Sequence, residues 1–262
     1  MKNITDLIRM KERKELISFI TCYDYWSAKI ISETDIDAIL VGDSVSMVMH
    51  GYETTINADI NMLELHVKAV RRGAKNKFIV ADMPFLAHKK GKKNTMNNVD
   101  RLMKAGANAI KIEGAEGQLD IIEYIIKSGV PVMGHLGLTP QSINIFGGYK
   151  VQAREEEEMN KLLNSAIALQ QAGCFSIVLE LVPASIAKKI TEKLNIPTIG
   201  IGAGPDTSGQ VLVLQDMLGL NKEFKPKFLR EYLNGFELIK QAIDNYNSDI
   251  KSKKFPSEKE SY

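Results

Sequence analysis

Cysteine is scarce in this chain, and Cys22 and Cys174 are the only two among 262 residues. Both lie in or beside apolar runs, so we expect buried free thiols, and their spacing does not suggest a metal site. An excess of charge of one sign is also lacking, because 34 basic against 32 acidic residues leave a formal net charge of +2. This balance gives no support for nucleic acid or a membrane surface as the partner.

Long hydrophobic runs are absent as well. No uninterrupted apolar stretch approaches the length that spans a bilayer. Residues 1–11 are amphipathic and mixed in charge, unlike the basic region and apolar core of a signal peptide. We therefore expect a cytoplasmic protein.

Short apolar runs and helix-like segments alternate almost from end to end of the chain. An apolar run bounded by turn residues is typical of a buried strand in a parallel sheet. Such runs predict strands at residues 17–21, 38–41, 78–81, 109–112, 131–134, 176–179, 198–201 and 211–214. Apolar residues spaced three and four apart predict helices at residues 60–72, 99–105, 118–127, 155–172, 184–194 and roughly 227–246.

Eight strands alternating with helices indicate an α/β fold, and specifically a closed (β/α)₈ TIM barrel, with an open doubly wound sheet as the second possibility. For residues 211–214 a helix start fits the local sequence equally well. The amphipathic segment 4–11 is expected to form an N-terminal helix that caps the barrel. We assign residues 1–248 to one domain and expect the polar residues 249–262 to form a disordered tail.

Four of the predicted strands run directly into a carboxylate: Asp43, Asp82, Glu113 and Glu180. In parallel sheets, ligands bind outside the carboxyl ends of the strands. A helix N-cap is the alternative for any one acid, but Glu is not a favoured cap. Four acids together therefore indicate a site, and carboxylates so close require a cation or shared protons.

Three of these acids follow consecutive strands and, with one lysine, form what we call the rim cluster: Asp43, Asp82, Lys111 and Glu113. Neighbouring strands lie about 4.8 Å apart, so three carboxylates can surround one hard cation directly or through waters. Oxygen ligands without cysteine or paired histidine favour Mg²⁺ or Mn²⁺ over Zn²⁺. Lys111 and Glu113 share a strand face, and Lys111 can offer positive charge to a bound anion. A Lys–Glu ion pair without any ligand is the alternative.

Two further strand-end residues are candidates. Glu180 is expected across the rim from the rim cluster, and its apolar neighbours suit a general base. A capping or ion-pairing acid is the alternative for Glu180. His135 ends the fifth strand, where it can either hydrogen-bond a ligand or serve the structure alone.

Two loops are also candidates for contact with a ligand. The glycine-rich segment 200–204 follows the seventh strand, where glycines let a ligand approach the backbone, although a tight turn explains it equally well. A lysine run follows the third strand, either as solvated surface, as a lid, or as a landing point for a polyanionic tail. The run consists of Lys89, Lys90, Lys92 and Lys93.

Taken together, these motifs resemble the ketopantoate hydroxymethyltransferase family. The matching segments follow the expected order over nearly the whole chain: residues 21–25, 41–44, 68–74, 81–85, 101–107, 111–114, 134–142, 146–152, 179–183 and 199–204. Segment 134–142 is a long and distinctive string. The chain departs from the family at Val45-Ser46, where Leu-Gly is usual, and at Ser208, where an Asp is usual, which bears on the loop near the eighth strand.

The resemblance implies a barrel of the phosphoenolpyruvate/pyruvate type that transfers a hydroxymethyl group from 5,10-methylenetetrahydrofolate to 3-methyl-2-oxobutanoate. The product would be 2-dehydropantoate, for pantothenate synthesis. It also implies a homodecamer and a Mg²⁺ at the positions matching Asp43, Asp82 and Glu113. On this basis Glu180 removes the C3 proton, and the expected substrate-binding residues are Asp43, Ser44, Asp82, Lys111 and His135.

Two other functions stay open. The same enolate chemistry would serve C–C cleavage in a 2-oxo-acid lyase related to isocitrate lyase. Such relatives typically carry a Lys-Lys-Cys-Gly-His type motif, which this chain lacks. The other alternative is a non-catalytic barrel that binds an oxo acid, but no candidate catalytic group is missing from the sequence to favour it.

Overall fold

The computed structural model describes residues 1–146, 148, 150–223 and 225–262, without the side chain of Phe146. Gly147 and Tyr149, from the family-like segment 146–152, therefore lie outside the described residues. The chain divides into two compact units, Met1–Leu212 and Val213–Tyr262. Among the described residues, no helix combines the length and apolar character needed to cross a membrane.

The first unit is a closed barrel of parallel strands, numbered β1 to β8 in chain order. Each strand pairs with the next, and β8 pairs with β1 to close the ring. The strands are β1 Ile17–Thr21, β2 Ala38–Val41, β3 Phe78–Asp82, β4 Ala109–Glu113, β5 Val132–Gly137, β6 Ser176–Glu180, β7 Thr198–Ile201 and β8 Gly209–Leu212. The predicted (β/α)₈ TIM barrel is confirmed over the open doubly wound sheet.

Helices connect the strands of this unit. They are α1 Ile4–Glu12, α2 Tyr25–Ser32, α3 Val45–Val48, α4 Ile60–Gly73, α5 Lys92–Ala105, α6 Leu119–Lys127, α7 Ile143–Phe146, α8 Glu156–Gln171 and α9 Ala184–Lys193, with 3-10 turns at Thr55–Asn57 and Pro140–Ser142. Helix α5 begins at Lys92, well before the predicted start at residue 99. Its first turns bury the polar residues Thr95 and Asn98, which donate hydrogen bonds to the carbonyls of His88 and Ala87. No apolar periodicity marks those turns, so the sequence pattern missed them.

Helix α1 caps the end of the barrel at which the strands begin. The side chain of Asn3 accepts hydrogen bonds from the backbone N–H groups of Thr5 and Asp6, and the Asp6 carboxylate accepts one from the Asn3 N–H. This reciprocal pair satisfies donors that a helix start otherwise leaves unpaired. Leu7 is 1% exposed and belongs to the same buried core as Phe19 of β1. The predicted N-terminal capping helix is confirmed.

The barrel interior is apolar over most of its height and ionisable at its upper edge. Side chains two residues apart on a strand point to the same face. In four neighbouring strands a core residue is followed two positions later by an ionisable one: Val80 by Asp82, Ala109 by Lys111, Met133 by His135 and Val178 by Glu180. The strand period therefore turns these side chains inward at the carboxyl ends of the strands.

Several strand ends differ from the predicted ones. Strands that extend further than predicted end at Asp82 in β3, Glu113 in β4, Gly137 in β5 and Glu180 in β6. Strand β8 begins at Gly209, before the predicted start at residue 211, because Gly209 pairs with Ile17 of β1. A Cβ on Gly209 would lie 2.2 Å from the carbonyl oxygen of Ile17, so this pairing requires glycine. An apolar pattern cannot reveal such a strand start.

The second unit contains helix α10, Leu214–Met217, helix α11, Gly235–Lys251, and a 3-10 turn at Glu258–Glu260. Helix α11 begins at Gly235, later than the predicted start near residue 227. The Gly235 N–H donates to the Leu218 carbonyl at 2.8 Å, and a Cβ at residue 235 would lie 2.5 Å from that oxygen. The assignment of residues 1–248 to one domain and of 249–262 to a disordered tail stays a prediction.

Candidate active site

Strand register sets the residues of the rim cluster side by side. Asp82 of β3 pairs with Lys111 of β4, and Glu113 of β4 pairs with His135 of β5. The Lys111 Nζ lies 3.1 Å from Asp82 Oδ1 and 3.7 Å from Glu113 Oε1. These side chains therefore meet at the upper edge of the barrel.

Asp43 joins the rim cluster from the loop after β2. Its backbone N–H donates a hydrogen bond to Asp82 Oδ2 at 3.0 Å. Gly42 leaves room for this approach, because a Cβ there would lie only 3.3 Å from the same oxygen. Asp43 and Asp82 are 4% and 2% exposed. Two carboxyl groups are thus buried next to each other.

Gln141 links Asp43 to Glu113, although no sequence pattern marks it as a residue of the site. Its Nε2 donates to Asp43 Oδ2 at 2.7 Å and to the Met83 carbonyl at 3.0 Å. Its backbone N–H donates to Glu113 Oε2 at 3.0 Å. Gln141 lies in the 3-10 turn Pro140–Ser142, whose proline marks a helix start in the sequence. That signal locates the turn but not the acids that its amide reaches.

His135 connects the rim cluster to Glu180. Its Nδ1 lies 3.3 Å from Glu113 Oε1, and its Nε2 lies 3.2 Å from Glu180 Oε2. Glu180 was expected across the rim, but it lies only one histidine away from the cluster. Its side chain is 17% exposed, against 4% for Glu113, so a ligand can reach it more easily.

Gly137 makes the close approach of β5 and β6 possible beside Glu180. The two residues are paired in the sheet. Gly137 has a φ of +92°, and a Cβ there would lie 2.2 Å from the Glu180 carbonyl oxygen. Both the backbone conformation and the lack of space require glycine.

Ser44 lies next to Asp43 in sequence and contacts a buried tyrosine. The hydroxyl oxygens of Ser44 and Tyr23 are 2.7 Å apart. Burial raises the pKa of Tyr23, so its phenol stays protonated. With Tyr23 as the donor, the hydroxyl proton of Ser44 is left to bind a ligand.

Burial and neighbouring charge set the ionisation of the acids. Burial raises the pKa of Asp43 well above its usual value, and the charges of Asp82 and Glu113 add to the effect. Burial also raises the pKa of Asp82, against the opposing attraction of Lys111. Burial acts in the same direction on Glu113, but the charges of His135 and Lys111 outweigh it and lower the pKa. Glu113 is therefore held as an anion, whereas Asp43 retains a proton more readily.

The two basic groups are held in their charged forms. Burial would lower the pKa of Lys111, but the charges of Asp82 and Glu113 outweigh it and raise the pKa. Burial and Lys111 act to lower the pKa of His135, but its two neighbouring acids raise it to about 9. The charged His135 ring is thus flanked by the carboxylates of Glu113 and Glu180, and its Nδ1 also lies 3.1 Å from Lys111 Nζ.

The rim cluster offers oxygen atoms that suit a hard cation. Asp82 Oδ1 and Glu113 Oε1 are buried, and their partners are the charged groups of Lys111 and His135 in ion pairs. Carboxylate oxygens are the protein ligands that Mg²⁺ prefers. In the described part of the chain, no three His, Cys, Asp or Glu side chains are grouped to hold one ion directly. The donor chemistry of these carboxylates nevertheless fits Mg²⁺.

Both departures from the family pattern form hydrogen bonds in this chain. Ser46 is fully buried, and its Oγ lies 3.0 Å from the Asp43 carbonyl and 2.9 Å from the Thr54 carbonyl. Ser208 Oγ accepts from the Thr198 N–H, and the Ser208 N–H donates to Thr198 Oγ1, both at 3.2 Å. Ser46 thus fixes the loop after Asp43, and Ser208 ties the start of β8 to β7.

The lysine run is exposed, but the histidine before it is anchored. His88 is 4% exposed, and its Nε2 lies 2.6 Å from Gln118 Oε1. Gln118 in turn donates through Nε2 to the Glu113 carbonyl. The loop is therefore fixed to β4 at its base, while its lysines remain available to solvent.

The glycine-rich segment 200–204 forms turns after β7. Gly202 and Gly204 have φ values of +64° and +80°, a backbone region that favours glycine. A Cβ on Gly204 would lie 2.4 Å from the Cβ of Ala184 at the start of α9. Turn geometry and close packing account for these glycines, and their predicted contact with a ligand stays a prediction.

Comparison with known proteins identifies close sequence relatives. Residues 1–258 match the sequence model of a family described as "Ketopantoate hydroxymethyltransferase". A protein named 3-methyl-2-oxobutanoate hydroxymethyltransferase from Bdellovibrio bacteriovorus is 55% identical over 262 residues, covering 100% of both chains. Proteins of the same name from Coxiella burnetii and Francisella tularensis are 55% and 52% identical, over 97% and 100% of this chain and 96% and 99% of theirs.

Solved structures share the fold at low sequence identity. A phosphonopyruvate hydrolase in complex with oxalate and Mg²⁺ has a TM-score of 0.63 and 12% identity, covering 99% of this chain and 93% of that one. A 2,3-dimethylmalate lyase, described as a member of the PEP mutase/isocitrate lyase superfamily, has a TM-score of 0.58 and 13% identity, covering 97% and 88%. At such identities the likeness concerns the fold alone.

Proposed function

Because the chain belongs to the ketopantoate hydroxymethyltransferase family, we propose that it transfers a hydroxymethyl group from 5,10-methylenetetrahydrofolate to 3-methyl-2-oxobutanoate. The product is 2-dehydropantoate, an intermediate of pantothenate biosynthesis. The observation that carries this proposal is the meeting of Glu180, His135 and the rim cluster at one edge of the barrel.

The residues of the site divide the work between binding and proton transfer. Lys111 offers a fixed positive charge to the carboxylate of the oxo acid, and Ser44 offers a hydroxyl proton. Glu180 is the more exposed acid and removes the proton from C3 of the substrate. The cationic His135 contacts Glu180 through Nε2 and orients its carboxylate. The carbanion at C3 then forms a bond to the one-carbon unit; water cleaves the methylene bridge of the donor, supplies the hydroxyl oxygen and leaves tetrahydrofolate as the second product.

Asp43, Asp82 and Glu113 are the residues that would hold a divalent cation, which we propose is Mg²⁺. Support comes from the buried carboxylate oxygens that only ion pairs satisfy, and from the excess of acidic over basic groups at the site. When bound, the cation would withdraw negative charge from the 2-oxo acid and so make the C3 proton more acidic.

An assay with both substrates, with and without EDTA, tests the proposal. Glu180→Gln should lower kcat by about 100-fold or more, since it removes a general base without changing size. Asp82→Asn should also lower turnover. Glu192→Gln, on the exposed side of α9, is the matched control and should keep wild-type activity. Near wild-type rates in both site variants would show that the assigned roles are wrong.

Deuterium exchange at C3 of 3-methyl-2-oxobutanoate, measured without folate, isolates the proton-transfer step. The wild-type protein should catalyse this exchange and Glu180→Gln should not. A 2-oxo-acid C–C lyase would instead cleave a substrate of its own. It need not catalyse hydrogen exchange at C3 of the oxo acid that this cleavage releases. Tight oxo-acid binding in calorimetry without exchange or turnover would favour the non-catalytic barrel.

We further propose that the protein assembles as a homodecamer. Helix α11 exposes large apolar side chains along its length, which supports contact with other copies of the chain. They are Phe236, Ile239, Ile243, Tyr246 and Ile250. The molar mass in solution, measured by light scattering, tests this proposal. The cytoplasmic location stays a prediction.

A further inference from the structure

Two histidines form a pair outside the site described above. The chain has four histidines, of which His88 and His135 are 4% and 2% exposed. His50 is exposed and His66 is half-buried. Their Nε2 atoms are 2.9 Å apart, and the rings cross at 83° with centroids separated by 5.2 Å.

The surroundings of His66 fix which of its ring nitrogens carries the proton. Its Nδ1 lies 2.6 Å from the carbonyl oxygen of Tyr23. A carbonyl can only accept, so Nδ1 is the protonated nitrogen, and Nε2 of the neutral ring has the lone pair that accepts from His50. Burial lowers the pKa of His66, and the nearby His50 lowers it further, which favours the neutral ring. A backbone carbonyl on Nδ1 is one of the common outer partners of a metal-binding histidine.

One ligand of the pair is rigid and the other can adjust. His66 lies within α4, between the fully buried residues Leu63 and Val67. His50 lies after α3 in a turn, followed by Gly51 with a φ of +71°. Nothing lies within 4 Å of a Cβ built on Gly51, so the turn has open space beside it.

We propose that His50 and His66 form a two-imidazole binding site for a borderline divalent transition-metal ion such as Zn²⁺, with water in the remaining positions. Two nitrogen ligands of a tetrahedral ion, each about 2.0–2.1 Å from it, lie roughly 3.3 Å apart. The observed Nε2 separation needs only a small movement of His50 to reach this value. The proton of His50 then resides on its Nδ1, and the His50–His66 hydrogen bond is replaced by two metal–nitrogen bonds.

The chemistry of this pair separates it from the rim cluster. Imidazole nitrogen suits zinc, copper and nickel, whereas the carboxylate oxygens of the rim cluster suit magnesium. The pair also has a physical link to the site, because Tyr23 accepts from His66 through its carbonyl and contacts Ser44 through its hydroxyl. An ion bound here would join α4 to the turn after α3 and so restrain the segment that carries Ser44.

Titration calorimetry with Zn²⁺ on the untagged protein tests the site, and it does not depend on the proposed reaction. Excess Mg²⁺ is added to the buffer to compete with Zn²⁺ for the carboxylates of the rim cluster. The wild-type protein should bind Zn²⁺ at micromolar concentration, and His50→Gln should weaken this binding by at least about tenfold. Glu53→Gln, which removes an exposed carboxylate near His50, is the matched control and should bind within about twofold of wild type.

His66→Gln should weaken Zn²⁺ binding as much as His50→Gln does. Thermal melting checks that each variant is folded, and His50→Gln alone decides the outcome if His66→Gln is not. Wild-type affinity in His50→Gln, or no Zn²⁺ binding by the wild-type protein at millimolar concentration, would overturn the proposal.

Discussion

Replacing Gln141 with leucine tests whether the buried amide positions the acids of the site. The substitution keeps a side chain of similar size but removes the Nε2 donor to Asp43 Oδ2 and to the Met83 carbonyl. The backbone N–H that donates to Glu113 is retained. Any change therefore reports on the loss of the side-chain amide and not on the loss of the turn.

The expected size of the effect follows from the charge that Asp43 carries when it loses its proton to bind a cation. A hydrogen bond to a charged group contributes about 1.5–3 kcal/mol. The Asp43 pKa is already raised by burial and by neighbouring acids, and losing a donor raises it further. Protons then compete more strongly with a cation, and the carboxylate is less well oriented. We expect Mg²⁺ affinity and kcat/KM to fall by about 10- to 100-fold, as is common for outer partners of metal ligands.

Calorimetry with Mg²⁺ and steady-state kinetics measure the two effects separately. The matched control is Gln170→Leu, which removes an amide oxygen that accepts from the backbone N–H of Asn195 at 2.6 Å, in the loop before β7. It should lower thermal stability without changing Mg²⁺ affinity. If Gln141→Leu binds Mg²⁺ and turns over like the wild-type protein, the amide does not position Asp43 and the reasoning is refuted.

Three further predictions follow from other parts of the structure. Ser46→Ala should lower the free energy of unfolding by about 1 kcal/mol, because a buried hydrogen bond of the hydroxyl group is lost. Chemical denaturation measures this loss and should show almost none for the exposed control Ser252→Ala. Changing the four lysines of the run to glutamine should raise KM for the folate donor more at low than at high ionic strength. The matched control changes four exposed lysines elsewhere in the chain to glutamine: Lys251, Lys253, Lys254 and Lys259. An effect on KM that does not depend on salt would mean that the run is only solvated surface. Mg²⁺ at about 100 times its dissociation constant should stabilise the wild-type protein by about 2.7 kcal/mol in thermal unfolding, and an equal gain in Asp82→Asn would contradict the rim-cluster assignment.

The barrel and the general position of the site could be predicted because both depend on local patterns. Apolar runs ending in acids located the strands and their carboxyl ends. The two-residue period of a strand placed Lys111 and Glu113 on one face, and in the structure Lys111 Nζ lies within 4 Å of Glu113 Oε1. These inferences need only neighbouring residues and the geometry that all strands share.

The contacts that join the site could not be predicted because they depend on register and on distant loops. Gln141 meets Asp43, which is 98 residues away in the chain, only because a turn after β5 folds back over the rim. Glu180 reaches His135 because Gly137 allows β5 and β6 to approach closely. Neither a turn signal nor a strand pattern states which polar atoms will face each other.

The barrel interior is apolar at one end and ionisable at the other, so substitutions at the two ends should have different effects. Substitutions among the apolar side chains near α1 and the strand starts should reduce the amount of folded protein, while each surviving molecule works normally. Substitutions among the ionisable side chains at the other end should leave abundant protein that works poorly. The lower half can therefore be repacked for heat resistance with the reacting groups left as they are.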